Sequence, residues 1–192
     1  MKARARVDAS VTDEDLLARV AQGEAAALGA MFDRYHRDVY NFLGRMRCPA
    51  HELDDLVQGT FLALPDAATR YDGRGSVRAY LLGVAVQVAR RERRRIFRRL
   101  ALWLERVHEV DTPDGERDPE QACVDRESAR RLETALAKLP EAQRETFVLV
   151  EVEGLKGEEA ARILGVPVNT VWTRLHYARA ALRDALKPRR AP

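Results

Sequence analysis

Apolar residues recur every three or four positions along most of the chain, the spacing that places them on one face of an α-helix. No convincing two-residue alternation flanked by turn residues is present in the sequence, so the pattern predicts an all-α fold. Thr12, followed three positions later by Asp15, resembles a helix start. Leu16, Leu17 and Val20 supply the apolar face of this first helix.

Three further apolar stripes predict three longer helices, and four such helices can bury their stripes against one another in a bundle. The second helix is expected to end near Cys48 and Pro49, and the third at Pro65. The stripes are, in order, Leu28, Met31, Phe32, Tyr35, Val39, Phe42, Leu43 and Met46; Leu53, Leu56, Val57, Thr60, Phe61 and Leu64; and Val77, Tyr80, Leu81, Val84 and Val88.

The segment "ERVHEVDTPDGERDPEQACVD" is rich in charge, Pro and Gly and has little apolar periodicity, which is typical of a tether. A chain of 192 residues also has room for two small domains, each with a modest core. The sequence therefore predicts two small helical domains, at 10–104 and 127–188, joined by a flexible linker at 105–126.

Two short helices open the predicted second domain. The first carries Leu132, Ala135, Leu136 and Leu139. The next has Pro140 in its first turn, where a missing N–H is tolerated, and stops at Gly154.

The stretch "EEAARILGVPVNTVWTRLHYAR" predicts a helix over Glu158–Leu164, a tight turn at Gly165 and a second helix from Pro167. At about 100° per residue, one face of the second helix is apolar and the opposite face is mostly short and polar. This arrangement suits a helix-turn-helix in a DNA major groove, although an ordinary helical hairpin has the same spacing. The apolar face holds Val168, Val171, Leu175, Ala178 and Leu182, and the opposite face Asn169, Thr173, His176 and Ala180.

Lys and Arg number 33 against 30 Asp and Glu, so the distribution of charge is more informative than its sum. A basic block is followed closely by an acidic one. The basic block either meets nucleic acid or another polyanion or is a solvated helix end. Its members are Arg90, Arg91, Arg93, Arg94, Arg95, Arg98 and Arg99.

The two cysteines, Cys48 and Cys123, do not suggest a disulfide framework, and a reduced compartment is the simpler expectation. Cys48-x-x-His51 invites a zinc interpretation, but structural zinc takes four ligands and no second pair has suitable spacing. We expect no metal and no cofactor. No apolar run is long enough to span a bilayer, so the expected location is the cytoplasm.

Two parts of the chain together resemble bacterial RNA polymerase sigma factors. The stretch "LPEAQRETFVLVEVEGLKGEEAARILGVPVNTVWTRLHYARAALRDAL" resembles sigma region four. The stretches "LDDLVQGTFLAL" and "YDGRGSVRAYLLGVAVQVARRERRR" look like region two. The short two-domain plan is similar to the extracytoplasmic-function (ECF) group of the sigma-70 family.

The resemblance implies a non-catalytic subunit that binds core RNA polymerase and promoter DNA, with no small-molecule substrate. Asp55 and Gln58 match positions that meet the clamp coiled coil of the largest polymerase subunit, and Pro140–Val152 matches the surface that packs on the polymerase flap. An anti-sigma factor, in some cases membrane-bound, is the further partner that the resemblance implies.

The promoter contacts implied by the resemblance fall into two groups. The minus-ten group is Tyr71, Asp72, Gly73, Arg74, Gly75, Ser76, Tyr80, Gln87 and Arg90, with Tyr80 also on the apolar stripe. The minus-thirty-five group is Asn169, Thr170, Trp172, Thr173 and Arg174, with Arg144 and Arg179 nearer the phosphates.

Several residues depart from the family's usual pattern, and their effect on promoter choice is open. They are Gly59, Tyr80, Gln87, Arg91, Asn169 and Trp172. The alternative within DNA binding is a helix-turn-helix regulator that does not engage core polymerase. A nucleic-acid enzyme finds no support in paired carboxylates, a Cys/His dyad or a phosphate-binding glycine loop.

Overall fold

The computed structural model describes residues 11–104 and 134–186, and the predicted linker, 105–126, lies outside them, as does Leu132. Every regular element within the described ranges is helical. These residues separate into two compact units, the first drawn from 11–104 and the second containing 134–186. The all-α prediction is therefore confirmed. The helices of the first unit are α1 (Asp13–Ala21), α2 (Ala25–Arg45), a 3₁₀ turn (Ala50–Glu52), α3 (Leu53–Ala68) and α4 (Val77–Leu104).

The start of α1 is fixed by two sets of side-chain contacts. Thr12 Oγ1 accepts a hydrogen bond from the Asp15 N–H at 3.2 Å, as the spacing predicted. Asp13 accepts hydrogen bonds from the Tyr35 hydroxyl and from the Arg34 guanidinium, both on α2. These contacts attach the first turn of α1 to the middle of α2.

The core of the first unit is formed by one face of each helix, with Leu16, Met31, Phe42 and Leu64 fully buried. A two-point ion pair adds a polar connection between α4 and α2, because Arg78 Nε and Nη2 lie 2.6 and 3.2 Å from the Asp38 carboxylate. The helices are thus joined by apolar burial inside and ion pairs at the margin.

Two details of the predicted stripes are wrong. On α4 the buried face carries Leu82 and Val86 besides Leu81, whereas the predicted Val84 and Val88 are only half-buried. On α2 Phe32 is exposed. Periodicity identifies an apolar helix, but the neighbouring helices decide which part of a wide apolar face is covered.

Pro65 does not end α3, which continues to Ala68. A proline inside a helix removes one backbone hydrogen bond, but Ala67 and Ala68 are buried, and this packing holds the last turn in place. The Ala67 carbonyl also accepts hydrogen bonds from the Arg70 N–H at 2.8 Å and the Tyr80 hydroxyl at 2.6 Å. Tertiary contacts therefore override the local helix-breaking signal.

The second unit contains α5 (described over 134–138), α6 (Glu141–Phe147), α7 (Gly157–Leu164) and α8 (Val168–Leu186). After Phe147 the chain continues as a π-helical segment, Val148–Val152, and Gly154 at φ 70° ends it where the sequence predicted. The core side chains around α5 and α8 are Ala135, Leu136, Leu139, Ala178 and Leu182, with Phe147 packed against them.

Candidate functional site

Helices α7 and α8 form a helix-turn-helix with well-defined ends. The Lys156 N–H donates to Glu159 Oε2 at 3.0 Å and so caps the start of α7. Gly165 ends α7 in the left-handed conformation, at φ 68° and ψ 38°, which glycine adopts without a Cβ penalty. The Thr170 N–H then donates to the Pro167 carbonyl at 2.9 Å as α8 begins. The predicted turn is confirmed.

The two faces of α8 lie as the spacing predicted. Val171, Leu175, Ala178 and Leu182 are buried, and Val168, the first residue of the predicted apolar face, is half-buried. The outer face of α8, by which we mean Asn169, Thr173 and His176, is exposed, while Thr170 and Arg174 on its shoulder are half-buried. The Thr173 hydroxyl donates to the Asn169 carbonyl at 2.9 Å, which leaves its oxygen lone pairs available as acceptors.

Trp172 on the other shoulder lies against the first residue of α7. Its side chain is 48% exposed, yet an ideal Cβ built on Gly157 would lie only 2.5 Å from Trp172 Cζ2. The indole therefore occupies the volume that a side chain at position 157 would need. The resemblance gave no indication of this contact.

The two arginines that the resemblance places nearer the phosphates, Arg144 and Arg179, both have protein partners. Arg179 Nε lies 3.1 Å from Glu151 Oε1 in the π-helical segment, and Arg179 Nη2 donates to the same oxygen. Arg144 is half-buried, and its Nη1 donates to the Leu139 carbonyl at 3.2 Å. To contact a DNA phosphate, the Arg179 guanidinium has to bind Glu151 and the phosphate together or give up its hydrogen bonds to Glu151.

In the first unit, residues 71–76 form an ordered turn ahead of α4. Gly73 and Gly75 have φ angles of 76° and 85°, a region that glycine enters readily. The Tyr71 hydroxyl donates to the Gly75 carbonyl at 2.7 Å, and the Arg74 N–H donates to Asp72 Oδ1 at 3.0 Å. The turn is therefore closed by its own hydrogen bonds.

The end of this turn is joined to the helices around it. Ser76 Oγ accepts from the Ala79 N–H at 3.1 Å and caps α4. Tyr80 packs edge-on against Tyr71 with ring centroids 5.0 Å apart, and its bond to the Ala67 carbonyl fixes the ring to α3. Burial raises the pKa of the Tyr80 hydroxyl. Farther along α4, Gln87 is exposed and Arg90 half-buried.

Asp55 and Gln58 are both exposed on α3. One turn beyond Gln58 lies Leu62, a large apolar side chain that is 70% exposed. Beside Gln58 an open groove runs between α2 and α3. It is lined by Phe32, His36, Arg37, Tyr40, Asn41, Asp54, Val57 and Gln58.

Comparison with known proteins identifies the family. Sigma-70 region 2 matches residues 31–99, and Sigma-70, region 4 matches residues 129–182. The chain is 32% identical over 180 residues to the RNA polymerase sigma factor NccH of Alcaligenes xylosoxydans xylosoxydans, covering 91% of this chain and 95% of the relative. It is 31% identical to the ECF RNA polymerase sigma factor SigC of Mycobacterium tuberculosis, and the match covers 98% of this chain and 97% of that relative. The chain belongs to the ECF group of sigma-70 factors.

Solved structures agree with this assignment. The structure of CnrH in complex with the cytosolic domain of CnrY superposes with a TM-score of 0.63 and 27% identity, covering 91% of this chain and 96% of that one. The protein is thus an RNA polymerase sigma factor that serves transcription initiation.

Several features of this sigma factor were missing from the sequence interpretation. They are the groove between α2 and α3, the exposed Leu62, the Trp172–Gly157 contact and the Arg179–Glu151 pair. The groove had a partial signal, because Phe32 and Tyr40 are large aromatic residues on one helix. Within the groove lining, Phe32 stacks on His36, with ring centroids 5.0 Å apart, and Phe32 also meets Phe61 of α3 edge-on at 5.0 Å.

The departure at Gly59 has a structural explanation. An ideal Cβ on Gly59 would lie 3.3 Å from Val88 Cγ1, so this position of α3 faces α4 at close range. A side chain here would press on Val88 before it reached solvent.

Within residues 11–104 and 134–186, no group of three or more His, Cys, Asp or Glu side chains is placed to hold a metal ion. None of the described helices combines the length and apolar character that crossing a bilayer requires.

Proposed function

We propose that this sigma factor docks on the clamp coiled coil of core RNA polymerase through the exposed surface of α3. Asp55 can accept hydrogen bonds, and Gln58 can donate or accept them. Both side chains are exposed and lie outside the buried apolar stripe of α3. Hydrogen bonds between a carboxylate and a basic partner are stronger than neutral ones. Leu62, on the same side of the helix, adds apolar area that polymerase can cover.

The turn before α4 and the outward side of α4 form the minus-ten surface in this proposal. A base that leaves the stack costs a few kcal/mol, which is offset when a protein pocket holds it. In this proposal the closed turn of Tyr71, Asp72, Gly73, Arg74, Gly75 and Ser76 holds such a base, and Gln87 and Arg90 meet the single strand downstream. Because the turn is already hydrogen-bonded, little ordering accompanies DNA binding.

The outer face of α8 reads the minus-thirty-five element. Asn169, Thr170 and Thr173 lie near the start of the helix, where a recognition helix contacts base edges. Arg174, together with Arg144 and Arg179, is assigned to phosphates, which fix register without reading sequence. Trp172 borders the same surface.

The remaining assignments follow the same plan. Residues 10–104 and 127–188 act as the two functional domains, with 105–126 as linker, and two DNA contacts on one chain raise the effective concentration of the second once the first is made. The surface of α6 and the π-helical segment packs on the polymerase flap. An anti-sigma factor regulates the protein. The protein works in the cytoplasm, or near the membrane where the anti-sigma factor is membrane-bound. It has no catalytic site of its own.

The observation that carries the minus-thirty-five assignment is the exposed polar face of α8 opposite a fully buried apolar one, in a helix-turn-helix with a capped α7. A pull-down with purified core polymerase tests the proposal against the alternative of a regulator that binds DNA alone. Retention of core polymerase by the full chain supports the sigma assignment. Promoter binding by a folded chain that never retains core polymerase supports the regulator.

A further inference from the structure

The contact between Gly157 and Trp172 is tighter than a side chain at position 157 could accept. A Cβ there would lie 2.5 Å from Trp172 Cζ2 and 3.1 Å from both Cε2 and Cη2. Gly157 itself is buried. The ring therefore rests directly on the backbone at the start of α7, and Gly157 is the residue type that makes this approach possible.

The backbone just before Gly157 is held by two hydrogen bonds of Lys156. Glu159 Oε2 accepts the Lys156 N–H at 3.0 Å, and the Lys156 carbonyl accepts the Ala160 N–H at 3.0 Å. One turn farther along α7, Ala161 is also buried. Trp172 thus meets a rigid surface, next to Val171, which is fully buried.

We propose that Gly157 and Trp172 form a matched pair that positions α8 for promoter binding. In a helix-turn-helix the second helix enters the major groove while the first crosses the DNA backbone. The distance and crossing of the two helices therefore decide whether base and phosphate contacts are made together. Gly165 fixes this geometry at the turn, and the Gly157–Trp172 contact fixes it at the far end of α7.

The pair also defines what position 172 contributes to specificity. An indole has one N–H donor and no acceptor, so it lacks the two-point hydrogen bonding by which Arg, Asn or Gln distinguishes a base. Trp172 acts as a positioning residue whose exposed half offers a rigid apolar surface beside Thr173. Discrimination between DNA bases is therefore made by Asn169 and Thr173, which the Gly157–Trp172 pair holds in position. This inference rests on the proposed reading of the minus-thirty-five element by α8.

A double-mutant cycle tests the pair. The variants are Gly157→Ala, Trp172→Ala and both together, in the full chain. The probe is a promoter duplex that the wild-type protein and core polymerase select from genomic DNA, compared with a scrambled duplex of equal composition. Gly157→Ala should weaken specific binding at least about fivefold when Trp172 is present and less than about twofold in the Trp172→Ala background, because contacting residues couple. Equal losses in both backgrounds would overturn the proposal.

Further readouts separate positioning from loss of structure or of phosphate contacts. Gly157→Ala should leave the salt dependence of binding and the affinity for core polymerase unchanged. In a Trp103→Phe background, where Trp172 is the single tryptophan, its fluorescence should shift to longer wavelength as the ring moves into water. An unshifted spectrum together with unchanged specific binding would contradict the inference. Gly29→Ala, at a helical glycine with open space around it, is the matched control.

If Gly157→Ala alone unfolds the second unit, the double variant decides: recovered folding and binding support the pair, and no recovery overturns it. If the wild-type protein itself selects no promoter with core polymerase, the proposed function has failed. A wild type that selects promoters, with no coupling in the cycle, removes the inference alone.

Discussion

Arg179 Nε lies 3.1 Å from Glu151 Oε1, so a guanidinium on α8 is bound by a carboxylate of the same unit. Arg179 is half exposed, and such pairs contribute little to stability. In the proposed promoter complex the carboxylate would have a larger effect on DNA binding, because it would compete with phosphate for Arg179 and add a negative charge nearby. We therefore expect the pair to restrain promoter affinity.

Replacement of Glu151 by Gln should strengthen promoter binding about two- to fivefold, since an exposed ion pair is worth up to about 1 kcal/mol. The slope of log K against log salt concentration should become steeper by up to about 0.9, because one more cation meets a phosphate. Fluorescence anisotropy over a salt series measures both quantities.

Two control variants accompany Glu151→Gln. Glu14→Gln removes the same charge from an exposed site on α1 and should change neither quantity. Arg174→Ala removes a guanidinium instead of releasing one, so it should weaken binding and flatten the slope. Unchanged affinity and slope in Glu151→Gln would show that Arg179 does not meet phosphate.

The double variant Asp55→Ala/Gln58→Ala should reduce affinity for core polymerase about tenfold or more, since hydrogen bonds to charged groups contribute about 1.5–3 kcal/mol. Helix content should stay the same because both side chains are exposed. Competition with a labelled wild-type chain for core polymerase gives the affinity. Asp66→Asn, at another exposed carboxylate of α3, is the control. Equal affinity of double variant and wild type would remove the clamp assignment.

Stability of the first unit should fall in alkaline solution through Tyr35. Burial, and then the hydrogen bond to Asp13, raise the pKa of the Tyr35 hydroxyl. The folded state therefore keeps a proton that the unfolded chain loses at about pH 10. The stabilisation is fully present below that pH and is lost as the pH rises through the folded-state pKa.

Urea unfolding of wild type and Tyr35→Phe across this range measures the effect. Wild type should be the more stable protein near neutral pH, because Tyr35→Phe leaves Asp13 without one hydrogen bond. The difference should narrow above about pH 10. A difference that stays constant into the alkaline range would contradict the assignment.

Val171→Asp should unfold the second unit, because Val171 is completely buried and an unpaired buried carboxylate costs several kcal/mol. Thr173→Asp introduces the same group on the exposed face of the same helix and should leave the unit folded. Calorimetry of both variants compares the two faces directly. Cooperative melting of the second unit in Val171→Asp at the wild-type temperature would show that the facial assignment is mistaken.

Much of the second unit could be predicted from spacing alone. Gly165 was predicted to permit a tight turn, and the spacing from Val171 to Leu182 placed one apolar face toward the core; both were confirmed. The Thr12 cap was likewise a local signal with a local outcome. Such features depend on residues that are close together in the sequence, and the regular geometry of a helix fixes how these residues are placed relative to one another.

Contacts between helices were not predictable in the same way. Pro65 was expected to end α3, but buried alanines beyond it hold the last turn. Trp172 was assigned by its position on α8, and its contact with Gly157 depends on how closely α7 approaches. The partners of Arg179 and Tyr80 lie on other helices for the same reason. The spacing of residues on one helix contains no information about which residue of a second helix faces them.

Reconstituted transcription tests the central claim most directly. Core polymerase free of sigma factors is incubated with the purified full chain and fragments of native genomic DNA, and run-off transcripts are mapped. We expect discrete start sites that require the protein, each preceded by shared minus-ten and minus-thirty-five sequences. A folded protein that directs initiation from no native template would contradict its function as a sigma factor.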